Sequence, residues 1–408
     1  MSKVAVLGGG GAVGSVAAGI LAASGVFSEV VIADINLEAA NRVVERIGTG
    51  NVSAVKFDAR SPESIKKTVK GSSVVLNCVG PFYEFGPSIL KAVISRGINY
   101  VDICDDFDAT EKLLALDGDA RNAGIVALIG MGSSPGLANV LVRYCAESML
   151  DEVESVDIYH AHGGEKIEGA AVVKHRIHSM EMAIPVFLDG KFTTVRLFDQ
   201  SGKALEEETD FENVGRYKVY PYPHPETITL PRFLKGVKRV TNLGIVLPPS
   251  YAELIKTMVK TGLTGEEPIE VQGQKVVPLE FAVAFIISQR EKLLRESGSA
   301  GPVGCLKIVV KGYKDGEKNS YIFSISSRKQ GMGEGTGIPA ALGTMLMGMG
   351  RIGGKGVFPP EGCVNPMDMF ELVQAKVKPG GGSASMTVEH IDHEGRSEKM
   401  DFLSAGGR

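Results

Sequence analysis

The sequence predicts an α/β protein: a Rossmann-type doubly wound parallel sheet, then a second α+β domain with a mixed, largely antiparallel sheet. Three observations predict it. Short Val- and Ile-rich runs alternate with amphipathic segments over the first 130 residues, a glycine loop follows the first run, and longer alternating runs take over beyond Val153. The 408 residues suffice for two domains, and 44% hydrophobic with 23% charged residues excludes a mostly disordered chain. Glycine stands out at 51 residues, where about 7% is ordinary, so its placement needs a reason.

In order, 4–7, 30–33, 54–57, 74–78, 100–103 and 126–130 read as strands, being short, apolar and bounded by turn residues. Helices are expected near 13–24, 37–47, 61–69, 86–96 and 108–122. Right-handed crossovers between such strands cover a parallel sheet on both faces. A helix at about 136–149 follows, then strands at 155–162, 193–198, 306–311 and 320–326 and helices near 250–260 and 278–295. Lys314-Asp315-Gly316-Glu317 joins the last two of these strands as a hairpin. Residues 331–362 hold eleven glycines, and a small-residue helix is expected there, running to about Met349. Residues 384–402 alternate as a final hairpin turned at His393-Glu394-Gly395. The expected division is 1–135 (Rossmann domain), 136–330 (substrate and dimerisation domain), 331–375 (helical segment returning to the first domain) and 376–408 (hairpin and tail).

A net charge of −4 leaves no global footprint for nucleic acid, and no Lys/Arg block is long enough to hold an anionic membrane. Five cysteines, widely spaced and without a C-x-x-C pair, read as free thiols in a reducing cytoplasm. The stretch between Lys3 and Glu29 lacks charge and is long enough for a membrane span, but glycines interrupt it and another strand follows, so no span or signal peptide is expected.

Gly9-Gly10-Gly11-Ala12-Val13-Gly14 matches G-x-G-x-x-G between a strand and a helix. Such glycines let backbone approach a pyrophosphate, which the helix N-terminus attracts. The acidic residue expected about 20 residues on is Asp34. A carboxylate there accepts from ribose hydroxyls and repels a 2′-phosphate, and no Lys or Arg occurs from 35 to 41, so NAD is favoured over NADP. Further strand ends should line the same crevice: Asp58 and Ala59, then Cys78, Val79 and Gly80, with Ser133 and Pro135 in the turn beneath the nicotinamide. Asp58 reads equally well as a helix-capping neighbour.

The sequence resembles the saccharopine dehydrogenase family. The resemblance is carried by Val6-Leu7-Gly8, by Asn77-Cys78-Val79-Gly80-Pro81-Phe82 with Gly86, and by Gly97-x-x-Tyr100-Val101-Asp102. Gly132-Ser133-Ser134-Pro135-Gly136-Leu137-Ala138-Asn139, Thr336-Gly337-Ile338-Pro339-Ala340-Ala341 and Gly356-Val357-Phe358-Pro359-Pro360-Glu361 extend it over most of the chain. It implies a Rossmann domain completed by a returning helix, a second domain that covers the cleft and often carries a dimer interface, and hydride transfer at a carbon bonded to nitrogen in a lysine- or saccharopine-related amino acid. One departure stands at Thr241-Asn242-Leu243-Gly244, where several members carry a T-x-R-like pattern. The missing arginine argues against saccharopine itself.

Oxidising an amine requires an unprotonated nitrogen, so a base tuned near neutrality is needed. Tyr83, Asp102, Asp105 and Asp106 lie at strand ends facing the expected nicotinamide. The competing reading is that Asp105, Asp106 and Asp108 only start the following helix. His160 and His162 alternate on one strand face; His162 is expected to line the cleft, and without a third ligand at an identifiable spacing no metal is expected. Arg176 is the candidate partner of a substrate carboxylate, and Ser134 is expected to cap a helix whose N-terminus receives one. Pro221-Tyr222-Pro223-His224-Pro225-Glu226-Thr227 reads as a loop over the cleft. The expected molecule is a cytoplasmic homodimeric NAD enzyme with a small amino-acid substrate. Two alternatives are a homospermidine synthase-like polyamine enzyme, needing an acidic pocket without a carboxylate-binding arginine, and a non-catalytic NAD-binding regulator, needing a cleft free of ionisable groups.

Overall fold

The structure, a computed structural model, describes residues 2–165, 168–299, 301–328, 332–376 and 384–400. The first sheet is built on β1 (Lys3–Leu7), β2 (Glu29–Asp34), β3 (Val52–Lys56), β4 (Val74–Asn77), β5 (Asn99–Asp102) and β6 (Val126–Leu128). They lie in the order β6-β5-β4-β1-β2-β3, all parallel. The winding reverses between β1 and β4, which opens a crevice beyond their carboxyl ends. A seventh strand, Gly356–Phe358, adds in parallel beside β6. This strand is not legible in the sequence, because three residues beginning at a glycine carry no readable period.

Burial on both faces explains why these strands are apolar throughout. Val4 and Val6 pack on one side against α1 (Ala12–Ala23), whereas Ala5 and Leu7 pack on the other with Phe82, Ile89 and Leu113. The helix expected at 108–122 is instead two, Phe107–Leu114 and Asp117–Ala123. The helix expected from residue 86 already starts at Phe82. Helix Met332–Gly348 lies along α1: a Cβ at Gly333 would sit 3.1 Å from the Ala12 carbonyl, and one at Gly337 would sit 2.9 Å from that of Val13. Glycine at every fourth position thus lets one helix backbone rest on another.

The second sheet has ten strands and is mixed. Its central strand Glu152–Gly163 runs parallel to Arg239–Leu247 and antiparallel to Val303–Lys314. Tyr159 and Ala161 face the helices Ala170–Glu181, Pro249–Lys260 and Pro278–Glu296. Val156 and Ile158 face helix Leu137–Tyr144 instead. The period of two therefore puts His160 and His162 on the side toward the first domain. Strands Ala384–Ile391 and Ser397–Met400 extend this sheet from the edge of Glu317–Arg328. The glycine triplet 380–382 and the tail beyond residue 400 lie outside the described residues. Among the described residues no helix is long and apolar enough to cross a membrane.

Candidate active site

The coenzyme side is made by backbone. A Cβ at Gly14 would lie 2.4 Å from the Gly8 carbonyl, one at Gly9 would lie 2.8 Å from Ile32 Cγ2, and one at Gly8 would lie 2.8 Å from the Cys78 carbonyl. This cradle fits a dinucleotide: the loop is bare, and no side chain caps α1 after Gly11, so the first-turn amides of Ala12 and Val13 would be available to a pyrophosphate. Asp34 ends β2 and accepts from the N–H groups of Gly10 and Asn36, each at 2.9 Å. Asp58 accepts from the Arg60 N–H at 3.0 Å, so with Ala59 it shapes the turn after β3. Cys78, Val79 and Gly80 follow β4, where Asn77 accepts from the Val79 N–H at 3.0 Å and donates to the Tyr100 hydroxyl at 2.9 Å.

Asp102 is not exposed in the crevice. It is fully buried, and its Oδ1 accepts from the N–H groups of Gly130 (2.7 Å) and Cys104 (3.0 Å). Burial pushes its carboxyl up to about 6, against the pull of those two amides. Proposed from the sequence as a base, it is a positioning residue that ties β5 to the turn after β6. That turn carries Ser133, Ser134 and Pro135, and here too the expectation changes. Helix Leu137–Tyr144 is capped at Gly136, whose N–H goes to Asn139 Oδ1 at 2.9 Å, not by Ser134. The N–H groups of Leu137 and Ala138 go to the carbonyls of Gly132 and Ser133, both at 2.9 Å. The amides of Gly136, Leu137 and Ala138 are thus all taken, and none of these three is left for a substrate carboxylate.

Ser134 reaches across to the second domain. Its hydroxyl donates to Glu226 Oε1 and lies 3.4 Å from His160 Nε2, while Glu226 Oε2 lies 3.1 Å from His224 Nδ1. Burial pulls the His160 imidazole down to about 3, helped by the His224 charge, so it is neutral. Burial alone would raise Glu226 and lower His224; their mutual attraction and hydrogen bond win, holding the carboxylate below and the imidazole above its ordinary value. The donor atoms of His160, His224 and Glu226 lie within 4.8 Å of one another. The carboxylate among them is already engaged by Ser134 and His224. The proline-rich run is only partly a loop, since Glu226 opens the helix Glu226–Phe233.

A second contact crosses the cleft nearby. Asp106 Oδ1 lies 3.4 Å from His175 Nδ1, and Oδ2 accepts from the Tyr83 N–H at 3.3 Å. Burial, then the charge of Asp105, pushes the Asp106 carboxyl up to about 6, opposed by His175. The half-exposed Tyr83 ring sits 6.1 Å from that of His178. Arg176 is buried, with Nη2 on Glu168 Oε1 at 2.6 Å. His162 lies at the end of its strand, and burial and the Arg176 charge hold it neutral, well below its ordinary value.

Residues 4–128 match the family described as the saccharopine dehydrogenase NADP binding domain. Carboxyaminopropylagmatine dehydrogenase of Synechocystis sp. is 25% identical over 88% of this chain and 92% of its own length. Carboxynorspermidine synthase of Vibrio cholerae is 25% identical over 85% and 89%. The apo structure of saccharopine dehydrogenase (L-Glu forming) from Saccharomyces cerevisiae superposes with a TM-score of 0.65 at 15% identity, covering 95% of this chain and all of that one, and so shares the fold. Over residues 4–128 the chain carries a domain of the saccharopine dehydrogenase NADP binding type, and over most of its length it is similar to dehydrogenases and synthases of carboxylated amines. The first domain is thus of an NAD(P)-binding type found in oxidoreductases.

Within this saccharopine dehydrogenase-like cleft, Tyr83, Asp106, Ser134, His162 and Arg176 are legible in the sequence as site candidates, whereas Glu226, His224, Glu168 and Arg290 are not. The signal for His224 and Glu226 was their place in a run already assigned to the cleft. Glu168 and Arg290 carried none: a single charged residue in a loop and another in an amphipathic helix look like any surface residue.

Proposed function

We propose that the protein is an NAD-linked oxidoreductase that makes or breaks the C–N bond of an amino-acid-derived secondary amine, with a carboxylated polyamine as substrate class. The observation that carries this reading is the convergence of ionisable groups from both domains: Tyr83, Asp106 and His175 on one side, Ser134, His160, His224 and Glu226 on the other. Such a cleft argues against a non-catalytic NAD-binding regulator. The names of the two long relatives support a carboxylated polyamine over lysine or saccharopine, as does the missing T-x-R arginine. Arg176 argues against a homospermidine synthase-like site, which has no carboxylate to hold. Asp34 supports NAD, since a carboxylate already fixed beside the loop repels a 2′-phosphate.

A bound nicotinamide supplies or accepts the hydride. The residues of the chain do the rest. Asp106, poised near neutrality, takes the proton from the substrate ammonium so that the nitrogen lone pair can assist C–H cleavage. Ser134, fixed by Glu226, orients the polar group next to the reacting carbon, and the charged His224–Glu226 pair keeps that hydroxyl aimed. The cross-cleft Asp106–His175 contact holds the domains together and excludes water. Free cysteines among the described residues support a reducing, cytoplasmic setting, and the exposed Phe281, Phe285 and Ile287 support a homodimer.

The test is an assay of NAD+ and NADP+ reduction with carboxynorspermidine, lysine and saccharopine. Turnover is expected with carboxynorspermidine and NAD+. Asp34→Arg should shift the preference toward NADP+ by at least about tenfold, or about 1.4 kcal/mol. Absence of NADH binding together with no turnover on any of the three substrates overturns the reading.

A further inference from the structure

The second domain holds a cavity of about 540 Å³ that the cleft does not explain. None of its walls comes from the first domain, and none of the ionisable groups that converge across the cleft lines it. One wall is a stripe of helix Pro249–Lys260, where Pro249, Glu253, Lys256 and Lys260 fall on one face. Strand Gly215–Pro221 makes a second wall with Arg216, Lys218 and Tyr220, and the segment around the short helix Gln200–Lys203 makes a third. The size is that of a small-molecule site.

Charge sets this cavity apart. Five cationic side chains, Lys203, Arg216, Lys218, Lys256 and Lys260, line it against two acidic ones, Glu206 and Glu253, in a chain whose acids outnumber its bases by 48 to 44. Part of the excess is held in place: Lys218 Nζ lies 2.5 Å from Glu206, Lys256 Nζ lies 3.0 Å from Glu253, and Arg216 pairs with Glu208 at 3.1 Å. Lys203 and Lys260 have no acidic partner among the described residues. Lys256 and Lys260 stand one helical turn apart, where like charges repel, and an anion between them removes that repulsion. Lys256 is also sunk, 14% exposed, with its ammonium 3.9 Å from the centroid of the Tyr220 ring. A cation with so little water left gains more from an anion than one in bulk solvent. Elsewhere in this domain buried cations are closed off, as where Arg176 and Arg290 share Glu168 at 2.6 and 3.0 Å.

The floor beneath these charges is apolar: Leu197, Val219 and Ile245 are buried, and Tyr220 is 2% exposed. Lysines supply most of the charge, and such point charges suit the several oxygens of a phosphate, whereas a planar carboxylate is better met by a free arginine fork. We propose that this cavity is a second ligand site, for a small molecule that carries a phosphate on an apolar body. Lys256 and Lys260 bind the phosphate, Lys203 adds charge at the opposite wall, and Val219, Tyr220 and Ile245 take the body. The ligand is neither the coenzyme nor the substrate of the cleft, because the glycine loop and the converging acids and imidazoles lie outside these walls. The site goes beyond the oxidoreductase reading and is tested without turnover.

The probes are phenyl phosphate and inorganic phosphate, titrated by calorimetry into the full chain with NADH at saturation, so that the glycine loop is filled. Phenyl phosphate should bind at a single site and several-fold more tightly than inorganic phosphate, through contact with the apolar floor. Exchanging both lysines, Lys256→Met with Lys260→Met, keeps the stems and removes the charges. It should weaken phenyl phosphate at least about tenfold, while NADH binding, followed by fluorescence, stays intact and reports the fold. Glu206→Gln releases Lys218 and should tighten phenyl phosphate, a gain that a misfolded variant cannot give. Lys292→Met, at an exposed lysine on another helix, should change nothing. No binding of phenyl phosphate, equal affinity for the two phosphates, or equal binding by the wild type and the double lysine variant overturns the proposal. None of these results touches the oxidoreductase reading, which falls only with coenzyme binding and turnover.

Discussion

Asp102 and Glu226 stand on opposite sides of the cleft, both fully buried, and their carboxyls move in opposite directions. Asp102 has two backbone amides and the Tyr100 hydroxyl but no cation, so burial prevails and it rises to about 6. Glu226 has an imidazolium and a hydroxyl, and these outweigh the same burial. The contrast extends to the regions around them. The first domain binds by backbone: bare glycines, helix-end amides and a turn held by Asp102. The second binds by side chains, and each charged one there needs a partner. Burial alone therefore does not say what an acid does; the company it keeps decides.

The largest expected effect comes from breaking the second region. Glu226→Ala leaves a buried His224 without its counter-charge and Ser134 without its acceptor, and should lower unfolding free energy by about 3–5 kcal/mol, read by urea denaturation. The first region should respond through pH. Because the Asp102 carboxyl is raised in the folded state, the native protein holds its proton where the unfolded chain has lost it. Its contribution is thus favourable below about pH 4 and is lost as pH rises toward about 6, on the order of 3 kcal/mol. Asp102→Asn keeps the acceptor for Gly130 and Cys104 and should flatten that slope, which calorimetry between these pH values would show. Glu226 has the opposite sign: its stabilisation is present above its ordinary value and disappears as pH falls through the depressed one. The smallest stability effect belongs to the contact between the regions. Asp106→Asn removes a partly exposed pairing with His175 and should cost less than about 1 kcal/mol, yet abolish the acid limb near pH 6 in the kcat/KM profile.

What was legible follows the same division. The glycine loop, Asp34 and the strand ends are local in the chain, because a parallel strand, a tight turn and a helix start each need particular residues within a few positions. His160 and His162 were legible as a pair because a strand has a period of two. Two readings failed for a common reason. Asp102 looked like a crevice base and Ser134 like a helix cap, since sequence shows which residues lie near a strand end but not which backbone amide lies opposite. Asn139, three residues beyond Gly136, took the cap, and Ser134 was free to reach Glu226, 92 residues away. The short strand Gly356–Phe358 needed the edge of β6 to exist at all.

By itself the sequence determined the doubly wound domain, its coenzyme loop and the likeness of that domain to the saccharopine dehydrogenase NADP binding type, because these rest on local backbone geometry that few residue patterns allow. Only the tertiary structure decided which side chains of the second domain meet at the cleft and beneath it. Ser134, His160, Glu226, Glu168, Arg176 and Arg290 come from segments without local periodicity linking them, and their charges acquire meaning only when folding buries them against one another.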